Sequence, residues 1–436
     1  MKILYIPIGV GTYHMETAGA CFEASRKLLQ EIDPEIICPE SLLLSVPAVA
    51  GFIGDHTPDL VILQNVTFAN AAYTAEVLRR VTCPIVLWTL REPAGEPGGR
   101  LKMNALTGAF ASANTLHQFR EEKPVFLFGD PEEVRTSLTA AIRAAKARKA
   151  LKELTIAAVG HTPQGFGFGR ALDQDLMKTF GCELISIEAR ELMEKAKNGE
   201  PDEKASEGLV GLEQTPEERR LGFLKLYRAY KDFVEENHIG ALASRCWPDF
   251  FTDYGTPVCS VLSVLNAEGI PCACECDIYG ALSMYLGQLL TGSPAFFGDP
   301  VALNEEDNTL TFWHCGMASC NLARTDTGAA VGVHPNRKIG PTMEFGLKPA
   351  QHVTLLRVGR DKDGSFRLFV AKGRALDRPK QYLGTSVVVE TEPDVKDMVS
   401  FLLENGYEPH YAVIYGDAAE SLEMLGRMLN IKVDRL

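Results

Sequence analysis

The sequence predicts an α/β protein: two parallel-sheet domains followed by a β-rich, barrel-like C-terminal domain. Three observations predict it. Strand-like and helix-like segments alternate over the first 150 residues. The alternation restarts after a Lys/Arg/Ala-rich helix ending near Lys152. After about residue 294 it gives way to short β-like runs between Gly/Asp/Asn-rich turns such as Asp361–Gly364. The expected domains are 1–152, 153–293 and 294–436, the last with a closing α/β tail. A chain of 436 residues is too long for one core, so several domains are required.

The elements follow in order. Lys2–Ile8, Ile36–Cys38, Leu60–Gln64 and Pro84–Trp88 are apolar runs of strand length. Ala18–Ile32, Asn70–Arg80, Met103–Ala113 and Glu132–Lys149 have the amphipathic repeat of helices, which gives βαβ units and a parallel sheet. The second domain starts with strand Leu154–Val159, a Gly-rich turn over His161–Gly169, a helix and strand Glu183–Ile187. Helix Pro216–Glu236, strand Gly240–Ser244, helix Pro257–Glu268, strand Pro271–Glu275 and helix Tyr279–Leu290 follow. Ala295–Asp299, Leu310–Trp313, Val353–Val358, Ser365–Lys372 and Ser386–Glu390 are β-like and suit an antiparallel sheet or small barrel. The tail reads helix Asp394–Asn405, strand Tyr411–Tyr415, helix Ala418–Leu429, strand Ile431–Asp434.

Composition narrows the function. With 46% hydrophobic and 23% charged residues the chain is an ordinary globular protein. A net charge of -13, spread along the chain, makes nucleic acid a poor partner. The apolar start Ile3–Ile8 is too short for a signal peptide, and no apolar run reaches membrane-span length. A cytoplasmic location is expected, with the eleven cysteines reduced and acting as small core residues.

Glu275 and Asp299 sit at the ends of short apolar strands. A carboxylate there must be paired or bound to a cation, because an isolated buried charge costs several kcal/mol. His314 ends another strand and precedes Cys315-Gly316, and His410 opens the Tyr411–Tyr415 strand. Two carboxylates with imidazole suit a divalent cation such as Mn²⁺, Mg²⁺ or Fe²⁺. Each has a plainer alternative: a glutamate paired to Arg or Lys, with Asp277 as rival for any role there, a turn aspartate, a core histidine. Cys272-Ala273-Cys274-Glu275-Cys276 invites a zinc reading, but no second Cys/His pair completes it at the usual spacing.

Ser244-Arg245-Cys246-Trp247-Pro248-Asp249 also follows a strand. Arg245 and Trp247 offer a fork of donors beside an aromatic platform, which suits a polyol; a surface salt bridge and an interface Trp are the alternative. Gly9–Gly11 with Thr12, Tyr13 and His14, and Gly165–Gly169 with its two phenylalanines, lack a dinucleotide fingerprint and a Walker lysine. Both read as loops lining a cleft, and Tyr13 and His14 are candidate substrate contacts.

Taken together, the strand-end Glu275, Asp299 in "FFGDP", "WHCG" at Trp313–Gly316 and the tail "PHYAVIYGDAAESLEMLGRMLNIKV" resemble the L-fucose isomerase and L-arabinose isomerase superfamily, in a shortened form. "RCWPDF" is similar to the family's substrate-side segment, and "PIVLWTLREP" to a first-domain loop that faces a neighbouring subunit's cleft. The resemblance implies two Rossmann-like domains before the β-rich one, and Mn²⁺ (or Mg²⁺, Fe²⁺ or Co²⁺) held by Glu275, Asp299 and His410, with His314 matching the further histidine ligand of the arabinose-isomerase-like members. It implies Glu275 and Asp299 as the acid/base pair and a homo-oligomer, trimer or hexamer, with sites between subunits. No arginine matches the family's N-terminal substrate arginine; His14 is the positional candidate.

The function expected is metal-dependent aldose–ketose isomerisation of a free sugar, a pentose, a 6-deoxyhexose or a modified sugar, through an ene-diol. A non-catalytic sugar sensor on the same scaffold, or a metal-dependent epimerase or aldolase acting on a sugar derivative, are the alternatives.

Overall fold

Ile3–Ile8 (β1) is apolar throughout and every residue of it is buried, as expected of a strand covered on both faces of a parallel sheet. The computed structural model describes residues 1–95 and 97–436, which divide into two compact units. The first holds Met1–Lys149 and Glu420–Ile431; the second holds Ala150–Ala419 and Lys432–Leu436.

In the first unit, β1 leads through helices α1 (Met15–Ile32) and α2 (Val46–Ile53) to β2 (Leu60–Asn65). Helix α3 (Ala71–Arg80), β3 (Ile85–Thr89), α4 (Ala105–Phe119), β4 (Val125–Phe128) and α5 (Pro131–Leu151) follow. The four strands pair in parallel in the order β1-β2-β3-β4. Alternate strand residues (Leu4, Ile6, Ile8, Val61, Leu63, Ile85, Leu87) pack against Val49, Ile53, Tyr73, Val77 and Leu116 of the helices. Each such side chain contributes about 1.5–3 kcal/mol when fully buried.

Three elements of the first unit differ from the sequence reading. Ile36–Cys38 is not a strand; Ile37 makes one bridge to Leu4 beside the Asp33-Pro34 turn. Helix α2, begun by Ser45 accepting from Ala48 N–H at 3.2 Å with Pro47 in its first turn, was not anticipated. Nor was β4, an edge strand whose burial alternates because one of its faces, carrying Phe126 and Phe128, is exposed.

The second unit begins with a parallel sheet. It contains β5 (Thr155–Val159), α6 (Asp173–Phe180), β6 (Glu183–Ile187), α7 (Ala189–Asn198), the short β7 (Leu209–Val210), α8 (Glu217–Glu236) and β8 (Ala241–Ser244). Helix α9 (Cys259–Ala267), β9 (Cys272–Ala273) and α10 (Ile278–Thr291) complete it. The sheet order is β6-β5-β8-β9, so the chain runs outward from β5 to β6 and then returns to the other side of β5. The crevice beyond the carboxyl ends of β5 and β8 is the switch point at which open α/β sheets bind ligands.

The rest is mainly β. It comprises β10 (Ala295–Asn304), β11 (Thr309–His314), β12 (Ala329–Gly332), β13 (Thr342–Met343), β14 (Ala350–Arg360), β15 (Phe366–Ala375) and β16 (Thr385–Thr391). Helix α11 (Val395–Glu404), β17 (Tyr411–Tyr415), α12 (Ala419–Leu429) and β18 (Lys432–Arg435) close the chain, with α12 grouped mainly with the first unit. Strands β14-β17-β10-β11-β16-β15 form a closed six-stranded barrel, since β15 also pairs with β14, and β18 adds to β15 in parallel. The small sheet β13-β12-β7 lies outside the barrel. The fold is thus α/β with parallel sheets followed by a barrel, as the sequence predicts. Among the described residues no helix is long and apolar enough to cross a membrane.

Candidate active site

Three loops leave the carboxyl ends of β5, β8 and β9, and three strands bring the barrel wall to the same place. The loop after β9 is the tightest. The expected strand Pro271–Glu275 is only Cys272–Ala273, and Glu275 lies beyond it. Glu275 and Cys276 are both left-handed, at φ 57° and 54°, a conformation that costs a non-glycine residue roughly 1 kcal/mol or more. The two residues turn the chain from β9 into α10. Cys276 N–H donates to Ser244 C=O at 2.9 Å, and Asp277 becomes the helix cap, accepting from Gly280 N–H at 2.8 Å. Gly169 is needed beside it, since a Cβ there would sit 2.9 Å from the Asp277 Cα.

Asp299 does not end its strand. It lies inside β10, opposite Trp313 and just before a bulge between Pro300 and Ala302. A proline is tolerated at such a bulge. In the β10–β17 register Gly298 faces Tyr411, so the next step sets Asp299 beside His410. His314 ends β11, the other neighbour of β10.

These residues converge. His410 Nε2 is 3.1 Å from Glu275 Oε2 and 3.3 Å from Asp299 Oδ1, and its Nδ1 is 2.9 Å from Asp277 Oδ2. Donor atoms of Glu275, His314 and His410 all lie within 4.8 Å of one another. Trp247 Nε1 donates to Glu275 Oε1 at 3.0 Å. Arg357, fully buried, donates to Asp277 Oδ2 at 2.6 Å, and its Nε lies 3.6 Å from Glu408. Phe297, Phe168 and Phe166 wall the His410 ring at centroid distances of 4.6, 5.3 and 6.2 Å.

Electrostatics separates the two carboxylates. Burial alone would push the Glu275 carboxyl up, but His410, His314 and Trp247 outweigh it and hold it below its ordinary value. Burial pushes Asp299 up; the two histidines offset this only in part, and Glu275 adds to it. Burial also opposes ionisation of Asp277, yet Arg357 and His410 keep it well below the usual carboxylate range. An ionised Asp277 can only accept, so His410 carries a proton on Nδ1 and turns Nε2 toward Glu275 and Asp299. Burial disfavours charge on His314, but Cys315, Asp299 and Glu275 push it up to about 10. The Asp299 side chain is 30% exposed against 15% for Glu275, so Asp299 is the more open of the pair.

The other candidates fall out differently. Trp247 is directed to Glu275 and also meets Phe166 edge-on at 6.0 Å. Arg245 turns away, pairing with Asp249 and donating to His161 C=O at 3.2 Å, and lines a cleft of 520 Å³ with Glu188 and Arg190. Tyr13 and His14 belong to the first unit. Tyr13 OH accepts from Asn104 at 3.0 Å, and His14 caps α1 through Thr17 N–H at 3.3 Å. All eleven cysteines are free thiols. Cys274 and Cys315 nevertheless come within 4.8 Å of each other and of His314, which their spacing along the chain does not reveal. Arg357 and Phe297 escaped the sequence reading. The one available signal was an arginine inside the apolar Val353–Val358 run.

Comparison with known proteins extends the picture. Residues 325–436 match the family described as L-fucose isomerase, C-terminal domain. Over 441 residues the chain is 53% identical to the sulfoquinovose isomerase of Clostridium sp. (strain MSTE9), covering 99% of this chain and 98% of that one. It is 39% identical over 443 residues to the sulfoquinovose isomerase of Priestia aryabhattai, with coverage of 99% and 98%. It is 38% identical over 443 residues to that of Alkalicoccus urumqiensis, covering 99% of each.

Proposed function

The chain belongs to the sulfoquinovose isomerase family of fucose-isomerase-like aldose–ketose isomerases, and from this premise we propose that it isomerises sulfoquinovose, a glucose with a sulfonate on carbon 6, to the corresponding ketose. The observation that carries the reading is the convergence on His410 Nε2 of Glu275 at 3.1 Å and Asp299 at 3.3 Å, from segments far apart in the chain.

Glu275, Asp299, His314 and His410 offer carboxylate oxygens and imidazole nitrogens, a donor set that fits Mn²⁺, and also Mg²⁺, Fe²⁺ or Co²⁺. When bound, such a cation supplies Lewis-acid polarisation of the sugar carbonyl and the adjacent hydroxyl. The chain does the rest. One of the two carboxylates takes the proton from carbon 2 while the carbonyl oxygen on carbon 1 gains one, giving the ene-diol. The proton returns to carbon 1 as the hydroxyl on carbon 2 loses its own, and the ketose results. Two carboxylates with pKa values pushed in opposite directions suit this exchange. Trp247 Nε1 donates to one oxygen of Glu275, so the position of that carboxylate is set before substrate arrives. The rings of Phe166, Phe168 and Phe297 keep bulk water off the reacting carbons.

The same reading takes the protein as a cytoplasmic homo-oligomer, trimer or hexamer, in which Tyr13 and His14 face a neighbouring subunit's substrate. Sedimentation velocity tests the assembly. The reaction is tested by NMR in deuterated water. Ketose formed from sulfoquinovose should carry solvent deuterium on carbon 1 in part of the product. Return of unchanged aldose only would sink the reading, and it would leave the non-catalytic sensor.

A further inference from the structure

We propose that Arg337 is the group that binds the sulfonate of the substrate, in the loop 333–341 between β12 and β13. The inference rests on the sulfonated-sugar reading above and names the residue that would enforce it.

The Arg337 guanidinium lies over two rings, 5.1 Å from the centroid of Trp247 and 5.0 Å from that of Phe251. Trp247 is the residue whose indole N–H holds Glu275 at 3.0 Å. Arg337 therefore stands one indole away from the carboxylate proposed to move the proton. Stacking fixes the plane of a guanidinium and leaves its N–H edge free for a fork of hydrogen bonds to an oxyanion. Among the described residues no carboxylate pairs with Arg337. The other arginines nearby are otherwise engaged: Arg245 with Asp249, Arg357 with Asp277, and Arg170 with Thr162 Oγ1 at 2.6 Å.

The loop itself is anchored. His334 Nδ1 faces the backbone N–H groups of Asn336 and Arg337 at 3.3 and 3.4 Å, and the His334 ring meets Phe251 edge-on at 5.0 Å. Pro335 and Asn336 line a cleft of 480 Å³ with Val301 and Trp313. Those two residues continue the strands that carry Asp299 and His314. A cation with no carboxylate partner among the described residues thus lies over the indole that holds Glu275, next in the chain to two residues lining that cleft, in a protein with a net charge of -13. A single guanidinium matches the single charge of a sulfonate. A sugar 6-phosphate shares the tetrahedral oxyanion but carries up to two charges.

The test compares kcat/KM for sulfoquinovose, glucose 6-phosphate and glucose in the wild type, Arg337→Met and Arg337→Lys. The wild type should prefer sulfoquinovose to both others. Arg337→Met should lower the sulfoquinovose-to-glucose ratio about 10- to 100-fold, the worth of one charge-assisted fork, mainly through KM. Arg337→Lys should fall between. A wild-type preference that Arg337→Met leaves intact overturns the role of Arg337 alone. A wild type that favours glucose or glucose 6-phosphate overturns the sulfonated-substrate reading, and this inference with it. Footprinting of the wild-type protein does not depend on any variant folding. Sulfoquinovose, but not glucose, should shield Arg337 from phenylglyoxal, and equal labelling with both sugars refutes the contact.

Discussion

The Nδ1 of His410 lies 2.9 Å from Oδ2 of Asp277, a carboxylate that also caps α10. One aspartate therefore ties the start of a buried helix to the orientation of an imidazole 133 residues away. That coupling fixes which nitrogen of His410 faces Glu275 and Asp299.

Asp277→Asn keeps the shape and removes the charge that holds the His410 tautomer. Partners of this kind are worth about 10- to 100-fold in metal affinity. Titration of the stripped protein with Mn²⁺ should show a loss in that range, with kcat falling in parallel at limiting metal. Unchanged affinity would make Asp277 a helix cap and nothing more.

Arg357 is fully buried and balances Asp277 and Glu408. Arg357→Met leaves the buried Asp277 and the half-buried Glu408 without that guanidinium. Breaking a buried pair from one side costs about 3–5 kcal/mol. Urea unfolding should show the midpoint falling accordingly, and a midpoint within error of wild type would contradict the pairing.

Trp247→Phe retains an aromatic ring for Phe166 and Arg337 but removes the donor to Glu275. A hydrogen bond to a charged group is worth about 1.5–3 kcal/mol, so kcat should drop about 10-fold or more with the fold intact. Steady-state kinetics beside a circular dichroism spectrum checks both halves of the statement.

Two helical glycines should respond in opposite directions to alanine. At Gly280 a Cβ would overlap the Phe297 ring, which packs on His410. Overpacking there should cost about 1–3 kcal/mol. At Gly19 in α1 nothing lies within 4 Å of the added methyl, so alanine should stabilise by roughly 0.5–1 kcal/mol. The order of the thermal midpoints, Gly19→Ala above wild type above Gly280→Ala, is the check.

Much of this was legible because the chain is locally consistent. Buried strands such as Leu60–Asn65 read as continuous apolar runs, and helices such as Glu217–Glu236 as amphipathic ones. Glu275 and His410 stood out because a polar side chain beside an apolar run has to be explained. The Gly165–Gly169 loop reads as lining a cleft, and the rings of its two phenylalanines lie against His410. The failures have physical causes. Ile36–Cys38 is apolar and short, yet it follows a turn that allows it only one bridge. The strand Pro271–Glu275 was overextended because left-handed φ values at Glu275 and Cys276 leave no trace in residue type, unlike a glycine. Arg357 looked like one polar residue in a strand; only the barrel's closure turns it toward Asp277, 80 residues earlier. The position of Asp299 inside β10 was hidden by Pro300, which reads as a strand terminator but sits at a bulge.

Metal reconstitution tests the central claim most directly. The wild type and Glu275→Gln are stripped with a chelator and titrated with Mn²⁺ while ketose formation is followed. Ketose formation should vanish on stripping, return in the wild type as about one ion per chain binds, and stay absent in Glu275→Gln at any metal concentration. Full turnover by the stripped wild type, or by Glu275→Gln with metal, would contradict the account.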